Sequence, residues 1–362
     1  MSMALQTLPS MVLPRLFLRR CRDKRFRLKV ADSTGSKATG GALLARTLLF
    51  QRWLAHHVLS ADERFVGVLL PPSVAGVAVN AALPLCGKIG VNLNYTCTSA
   101  ILNHCLEVAG IRHVLTSRKF WERCEFKLSA TVVFLEDALA QISSFDKLLA
   151  FADAHLTPAW VLDRRFGLGN IRGDDVMTII FTSGSTGMPK GVMLTYDNVG
   201  TNVQAIQQAV QLNSRDVLCG VLPLFHSFGY TVTLWAVLGL DLAGIYHFSP
   251  LDAKVIGKLC RDYRATILMV TPTFLRGYLR RCAKEDFATL EVIVTGAEKL
   301  PTDLAEAFEE KFGIRPVEGY GTTELSPVVA VNIPPNRAPA GDTSGLRVGS
   351  VGRPVPEAER RA

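Results

Sequence analysis

The sequence has no C-x-x-C pair, although it contains eight cysteines in 362 residues. Structural zinc sites usually take their ligands from such pairs, so the spacing argues against a zinc site. Several of these cysteines lie inside apolar segments, as buried free thiols do, and free thiols are typical of a reducing compartment. We therefore predict free cysteines and a cytoplasmic location.

Repeats and targeting signals are also missing. No short unit recurs, and a chain that is 48% hydrophobic and 20% charged is typical of globular proteins rather than solenoid, collagen-like or disordered ones. Residues 1–14 have no basic segment, and Pro9 and Pro14 break their apolar run, so a secretory signal is not indicated. The length is roughly twice the commonest domain size, which predicts a sizeable core and more than one lobe.

No apolar stretch has the uninterrupted length of a membrane span. Residues 65–91 contain one charge, Lys88, and residues 217–248 contain only Asp241, but prolines interrupt both stretches. We interpret each stretch as a buried parallel strand followed by a core helix, because such strands are apolar on both faces.

Positive charge is concentrated at the N-terminus. Of the net charge of +8, residues 1–40 contribute +7 and the remaining 322 residues contribute +1. Nothing outside this segment supplies a basic face, so no nucleic-acid partner is predicted. Within residues 1–30 arginines are mixed with Leu13, Leu16, Phe17 and Leu18. Two interpretations stay open, an interfacial helix on anionic lipid at the inner membrane face and a disordered linker.

Short runs rich in Val and Ile alternate with helical patterns along most of the chain. Thr98 and Thr195 are placed to cap helices, and Pro301 suits the first turn of a helix that runs through Phe312 to Gly313. The alternation predicts an α/β fold of doubly wound, mostly parallel sheets with helices on both faces. Ligands in such folds bind beyond the carboxyl ends of strands. The predicted strands are 65–70, 113–117, 131–135, 176–181, 216–222, 265–270 and 290–294.

The strongest local signal is the run TSGSTGMPKG at residues 182–191, which follows a predicted strand. Its glycines let successive backbone N–H groups point into one concavity, and its hydroxyls with Lys190 complete an anion cradle. It is not a Walker A loop, because Gly191 stands where that motif has Ser or Thr. We predict a polyphosphate site with the order strand, loop, lysine, helix; the alternative is a plain flexible loop.

Four more motifs follow in the order found in the adenylate-forming, or AMP-binding, superfamily. They are PLFHSFGY at 223–230, TGAE at 295–298, GYGTTE at 319–324 and VGSVGRPVP at 348–356. Over about residues 30–356 the chain thus resembles the large lobe of acyl-CoA synthetases, luciferases and peptide-synthetase adenylation domains. The sequence of residues 66–96 and the run RHVLTSRKF at 112–120 give a narrower resemblance. They are similar to the synthetase part of bacterial acyl-ACP synthetase/2-acylglycerophosphoethanolamine acyltransferase proteins.

The resemblance implies an acid–thiol ligase that activates a fatty acid with ATP and Mg²⁺ through an acyl-adenylate, with CoA or an acyl carrier protein as acceptor. It implies that Glu324 ligates Mg²⁺, that Thr323 contacts the α-phosphate and that Tyr320 lines the adenine. His226 would orient the carboxylate. The implied catalytic residues are Lys190, His226, Thr323 and Glu324. The implied nucleotide-binding residues are Thr182, Ser183, Gly184, Ser185, Thr186, Gly187, Lys190, Gly296, Ala297, Glu298, Gly319, Tyr320, Gly321, Thr322 and Thr323.

The resemblance stops after VGSVGRPVP, where family members continue into a hinge segment and a small C-terminal domain. The family's ribose-binding Asp, hinge Arg and late Lys cannot be located, since Asp342 lies in a loop without the motif. The expected division is a basic arm or linker at 1–30, a truncated AMP-binding domain at 31–356 and a tail at 357–362. We expect this form to bind ATP weakly and to adenylate slowly or not at all without a supplied C-terminal domain. The alternatives are a catalytically silent nucleotide- or acyl-binding remnant and a membrane-associated protein.

Overall fold

The computed structural model describes residues 11–182, 187–338 and 345–356. Its α-helices are α1 (Leu13–Asp23), α2 (Gly40–Trp53), α3 (Val74–Leu85), α4 (Ser99–Ala109), α5 (Arg118–Trp121), α6 (Asp137–Gln141), α7 (Ser144–His155), α8 (Ala159–Arg165), α9 (Tyr196–Val210), α10 (Ala236–Gly239), α11 (Ala253–Asp262), α12 (Pro272–Arg281) and α13 (Thr302–Phe312). Its strands are β1 (Leu28–Asp32), β2 (Lys37–Thr39), β3 (Phe65–Val68), β4 (Ile89–Asn92), β5 (His113–Thr116), β6 (Thr131–Phe134), β7 (Val176–Thr182), β8 (Lys190–Thr195), β9 (Val217–Gly220), β10 (Ala243–Tyr246), β11 (Ile267–Val270), β12 (Val292–Thr295), β13 (Val317–Gly321), β14 (Val328–Val331) and β15 (Arg353–Pro354). Shorter π-helical turns span Leu54–Val58 and Gly229–Trp235, and 3₁₀ turns span Leu168–Asn170, Lys284–Phe287, Thr323–Leu325 and Pro335–Arg337.

The strands form three sheets. The largest has nine strands in the order β15-β14-β13-β12-β11-β9-β10-β1-β2. Its pairs from β13 to β1 are parallel, and its edge pairs are antiparallel. A parallel sheet in the order β4-β3-β5-β6 forms a second lobe, which we call the small lobe. Strands β7 and β8 pair in a separate hairpin. The predicted fold class is confirmed.

Helices cover both faces of the nine-stranded sheet. Ile267 and Met269 of β11 belong to the core that α9 covers, whereas Leu268 and Val270 belong to the core beneath α11, α12 and α13. All four residues of β11 are buried. A strand enclosed on both sides can be apolar at every position, which is why its sequence shows a continuous run rather than an alternation.

All seven predicted strands are present, with ends within two residues of those predicted. The hydroxyls of Thr98 and Thr195 accept hydrogen bonds from the backbone and cap α4 and α9 as predicted. Pro301 is the N-cap of α13 rather than its first residue, and Gly313 ends that helix at φ +75°. Glycine fits that position because it adopts the left-handed conformation without a steric penalty.

The two apolar stretches belong to the core, as predicted. Residues 65–91 form β3, α3 and the start of β4, and residues 217–248 run from β9 to β10. All but one of the residues of α3 are buried. Across the described ranges, no helix combines the length and the apolar composition that spanning a membrane requires. All eight cysteines are free thiols, which confirms that prediction.

The expectation of an arm or linker at the N-terminus is wrong for its described part. The side chains of Leu13, Phe17 and Leu18 on α1 are fully buried, and α1 packs against α2 and α10. Leu16 packs against the same core, and β1 pairs in parallel with β10. The apolar face that an interfacial helix would offer to lipid is therefore already covered by protein.

Several basic residues of this segment have partners inside the fold. Lys29 is buried, and its ammonium donates to the carbonyls of Leu240 at 2.7 Å and Leu242 at 2.9 Å. Burial lowers the pKa of Lys29 to about 8, because desolvation disfavours the charged form. Lys24 pairs with Asp241 at 3.0 Å. Part of the N-terminal charge thus fixes the chain to its own core.

Candidate active site

The described ends of the glycine-rich run belong to two paired strands of a β-hairpin. Thr182 at the end of β7 pairs with Lys190 at the start of β8, and α9 begins only after β8, at Tyr196. The predicted order of strand, loop, lysine and helix is therefore wrong, because a second strand separates Lys190 from the helix. Gly187 has φ +90°, which glycine tolerates. The predicted residues Ser183, Gly184, Ser185 and Thr186 lie outside the described residues.

The hairpin packs between the small lobe and another predicted motif. The Thr178 hydroxyl donates to the Gly90 carbonyl of β4 at 2.8 Å. On its other side, β8 contacts the 3₁₀ turn Thr323–Leu325 of the GYGTTE motif. Strand β8 therefore lies beside a motif more than a hundred residues further along the chain.

A cavity of about 580 Å³ lies at the carboxyl ends of the parallel strands of the large sheet. This is the edge at which such folds bind ligands. The cavity brings together predicted residues from three motifs, namely His226, Gly296, Ala297, Gly319, Tyr320, Gly321, Thr322 and Thr323. Five described residues of the predicted set, Thr182, Gly187, Lys190, Glu298 and Glu324, do not line it.

The rest of the cavity wall is mainly apolar. Ile206 and Val210 of α9 contribute to one part of the wall, and Met269 and Val294 of the large sheet contribute to another. Further lining residues are Leu222, Phe225, Phe228, Val232, Phe248, Leu251, Phe274, Val328 and Val331. A concave apolar wall with a few polar groups suits a ligand that has an apolar body and one polar end.

His226 supplies one of the polar groups. Its ring lies 4.5 Å from the ring of Phe225, and desolvation lowers the pKa of His226 below its ordinary value of 6.5. The imidazole is therefore neutral at pH 7 and can donate one N–H. Its backbone N–H donates to the Pro223 carbonyl at 3.2 Å, which fixes the turn of the PLFHSFGY motif.

Thr323 joins this motif to GYGTTE. Its hydroxyl lies 3.2 Å from that of Ser227. The loop that holds Thr323 folds back so closely that a Cβ at Gly321 would overlap the carbonyl of Pro327. Thr322 donates its backbone N–H to the same carbonyl at 3.1 Å. Glycine is therefore required at position 321 for this loop conformation.

The two predicted glutamates differ in their surroundings. Glu298 accepts hydrogen bonds from the Thr273 hydroxyl at 2.6 Å and from its backbone N–H at 3.3 Å, which attaches the end of β12 to the start of α12. Glu324 is exposed, and within the described ranges no hydrogen bond or ion pair engages its carboxylate. Its role as a Mg²⁺ ligand and the nucleotide role of Glu298 stay predictions.

Other cavity residues were not singled out by the sequence. Tyr95 and Thr96 follow β4 and reach the cavity from the small lobe. The Tyr95 ring makes edge contacts with Phe225 at 4.8 Å and Phe120 at 5.2 Å. Its hydroxyl has no hydrogen-bond partner among the residues that the structure describes, and burial raises the pKa of Tyr95 above its ordinary value. The segment VNLNYT was notable only through the resemblance, and nothing local to it indicates a cavity.

The sequence is similar to those of two curated CoA ligases. The long-chain-fatty-acid–CoA ligase of Bacillus subtilis (strain 168) is 32% identical over 166 residues, which are 44% of this chain and 29% of that enzyme. The 4-coumarate–CoA ligase of Pinus taeda is 26% identical over 322 residues, which are 86% of this chain and 55% of that enzyme. The chain thus spans about half the length, or less, of these curated relatives.

A solved structure and a family model each match most of the chain. The apo MatB structure from Rhodopseudomonas palustris has a TM-score of 0.70 at 25% identity, and the match covers 94% of this chain and 65% of that one. A family model described as AMP-binding enzyme matches residues 17–361. Because that match covers nearly the whole sequence, the chain belongs to the AMP-binding enzyme family.

Proposed function

We propose that the chain contributes the ATP- and fatty-acid-binding lobe of a ligase that forms an acyl-adenylate and transfers the acyl group to CoA or an acyl carrier protein. Adenylation by the chain alone is expected to be slow or absent. The observation that carries this proposal is the cavity, where His226 and Thr323 lie in a mainly apolar wall. The names of the matched relatives, a fatty-acid–CoA ligase and a coumarate–CoA ligase, support an acid–thiol ligase.

The nucleotide would lie across the edge of the large sheet. Gly296 and Ala297 follow β12 and line the cavity, as does Tyr320, which is half exposed. These features suit the flat face of an adenine. The polyphosphate would extend from Thr323 toward Lys190 and Thr182, which pair at the turn end of the hairpin, since β8 contacts the Thr323–Leu325 turn. A cation and hydroxyls at that position would stabilise the charge of the departing pyrophosphate.

The carboxylate would lie near His226. A neutral imidazole donates a hydrogen bond to a carboxylate without holding it as a tight ion pair, so the oxygen stays free to attack the α-phosphate. The Thr323 hydroxyl, which lies 3.2 Å from that of Ser227, is placed to donate to a phosphate oxygen. These groups would orient the two reacting atoms, and orientation of this kind supplies much of the rate in such reactions.

Glu324 would hold Mg²⁺ together with phosphate oxygens. Within the described ranges no cluster of three His, Cys, Asp or Glu side chains could hold a metal by itself. An exposed carboxylate without a partner fits this role, because Mg²⁺ is commonly bound by one or two carboxylates with phosphate and water as further ligands. When bound, the ion would offset charge on the phosphates.

The aliphatic part of the wall supports an alkyl chain as the acyl group. Ile206, Val210, Met269 and Val331 are aliphatic or flexible side chains, and each methylene buried against such a wall contributes about 0.8 kcal/mol. The narrower resemblance to acyl-ACP synthetases and the cytoplasmic location stay predictions.

Titration calorimetry with sulfamoyl analogues of acyl-adenylates tests the proposal, because binding of these analogues does not require turnover. The tetradecanoyl analogue is expected to bind at least about tenfold more tightly than the 4-coumaroyl analogue, a difference of about 1.4 kcal/mol. The Thr323→Val variant is expected to weaken binding, whereas Thr131→Val, at an exposed position of β6, leaves it unchanged. Tighter binding of the coumaroyl analogue would overturn the fatty-acid assignment, and equal binding by both threonine variants would overturn the site.

A further inference from the structure

Helix α7 presents a row of large apolar side chains to solvent. Phe145 is 66% exposed, Leu148 63% and Phe151 58%. The row continues beyond the helix with Leu156, 75% exposed, and with Trp160 of α8, 67% exposed. We call these five residues the α7–α8 surface. Scattered exposed apolar residues are ordinary, but five of them on two successive helices and the turn between them, including three aromatic rings, indicate an interaction site.

The exposed apolar residues of α7 lie on the side of the helix that faces away from the core. Residues 145, 148 and 151 follow each other at spacings of three and so share one side of α7. The buried residues Ala150 and Ala154 lie on the opposite side, where α7 packs against α2. The helix therefore has two apolar faces, and only one of them is covered within the described residues.

Basic residues border this surface. The Arg15 guanidinium pairs with Asp163 of α8 at 2.7 Å, and Arg22 donates to the carbonyl of Ala154 at the end of α7 at 3.0 Å. Arg19 is four residues after Arg15 and three before Arg22, so it lies on the same side of α1. Its side chain is exposed.

The turn after α1 adds a further arginine and a phenylalanine. Arg25 and Phe26 are exposed, and the guanidinium of Arg25 lies 5.0 Å from the centre of the Phe26 ring. A side chain at Gly41 would contact both the Arg25 carbonyl and the His155 ring, so this turn and the end of α7 are neighbours. Phe26 therefore extends the apolar group beside an arginine.

The carboxylates of α7 are turned away from the surface. Asp146 and Asp153, the two carboxylates of α7, lie on its inner side, where both approach Arg52. Asp153 also pairs with Arg165. The outer side of α7 thus combines exposed apolar residues and Lys147 with the arginines of α1, and none of the helix's own carboxylates lies among them.

We propose that the α7–α8 surface docks the protein on an anionic lipid bilayer. Phe, Leu and Trp side chains insert at the boundary between headgroups and acyl chains, and arginines beside them pair with lipid phosphates. We infer a lipid bilayer because the basic border of the surface complements anionic headgroups. Phe, Leu and Trp are also the apolar residues typical of interfacial helices. The membrane contact thus involves a different surface from the buried apolar face of α1, and it does not depend on the proposed function.

Flotation with vesicles tests the proposal on the full chain. Wild-type protein is expected to float with phosphatidylglycerol-rich vesicles, less with pure phosphatidylcholine vesicles, and less again at high salt. The double variant Leu148→Ser/Phe151→Ser is expected to reduce the bound fraction by about tenfold or more. The matched control is Val108→Ser/Val255→Ser, which changes two exposed valines, one on α4 and one on α11. The variant Arg19→Gln/Arg25→Gln is expected to weaken binding to anionic vesicles only.

Circular dichroism and thermal unfolding establish that each variant is folded. Equal flotation of the wild type and the Leu148→Ser/Phe151→Ser variant would overturn the proposal, as would the absence of flotation with anionic vesicles. Light scattering distinguishes a second copy of the chain as occupant. A dimer that forms without lipid and is lost in the Leu148→Ser/Phe151→Ser variant, with no flotation of the wild type, would assign the surface to self-association instead.

Discussion

Replacing Arg337 with Met is expected to lower the free energy of unfolding by about 3–5 kcal/mol, the cost of removing one partner from a buried ion pair. The Arg337 guanidinium donates to both carboxylate oxygens of Asp216, at 3.0 and 2.5 Å. Only 6% of the Arg337 side chain and 1% of the Asp216 side chain are exposed. The substitution would leave a buried carboxylate without its cation.

The pH dependence of this effect follows from the same contacts. Burial alone would raise the pKa of Asp216, but hydrogen bonds from Arg337, Asn213 and Thr266 outweigh it and hold that pKa below its ordinary value of 3.8. A lowered folded-state pKa contributes stability above pH 3.8 that is lost as the pH falls through the folded value. In the Arg337→Met variant, the unpaired Asp216 carboxylate destabilises the folded state most when it is ionised. The stability difference is therefore expected to be largest at neutral pH and to shrink below about pH 4.

Urea unfolding of the two proteins measures this difference. The matched control is Arg172→Met, which removes an ion pair with Asp174 in which both side chains are more than 70% exposed. Exposed pairs typically contribute about 0–1 kcal/mol. A loss of similar size in both variants would contradict the importance assigned to the buried pair.

Replacing Gly321 with Ala is expected to reduce the affinity for an acyl-adenylate analogue by about tenfold or more, a loss of at least about 1.4 kcal/mol. The new Cβ would overlap the Pro327 carbonyl, so the loop must move. That movement would separate Thr323 from Ser227 and displace three cavity residues, Gly321, Thr322 and Thr323. Forced rearrangements of this kind also cost about 1–3 kcal/mol of stability.

The control for this experiment is Gly277→Ala. Gly277 lies in α12, where an added Cβ would meet no atom within 4 Å. Alanine favours a helix over glycine by about 0.5–1 kcal/mol, so this variant is expected to be as stable as the wild type or more stable, with unchanged affinity. If Gly321→Ala bound the analogue as tightly as Gly277→Ala did, the described loop would not form the binding site.

The fold could be predicted because its central strands are buried on both faces. A run such as Ile267–Val270 is apolar at every position, so it stands out without any knowledge of its partners. The hairpin could not be predicted from its second strand. Lys190–Thr195 has only one buried residue, Leu194, so the strand shows no hydrophobic pattern that would indicate its pairing with β7.

The sequence motifs pointed to some of the residues that line the cavity, but not to the shape of the cavity. The motifs identified His226 and Thr323, but the sequence could not show that Tyr95 approaches the same cavity from the other lobe, since this contact depends on how two sheets pack. The apolar face of α1 was also visible in the sequence. Its pattern shows that Leu13 and Phe17 share a face, and both protein and lipid would bury such a face equally well.

Methyl NMR of Met269 tests whether the cavity at the carboxyl ends of the large sheet holds the acyl-adenylate. Met269 lines this cavity and is 2% exposed, whereas Met177 is 4% exposed in the core and does not line it. With methyl-labelled methionine, and assignment by Met269→Leu and Met177→Leu, the tetradecanoyl analogue is expected to shift the Met269 resonance saturably and to leave Met177 unchanged. Saturable binding of the analogue with an unchanged Met269 resonance would contradict the account.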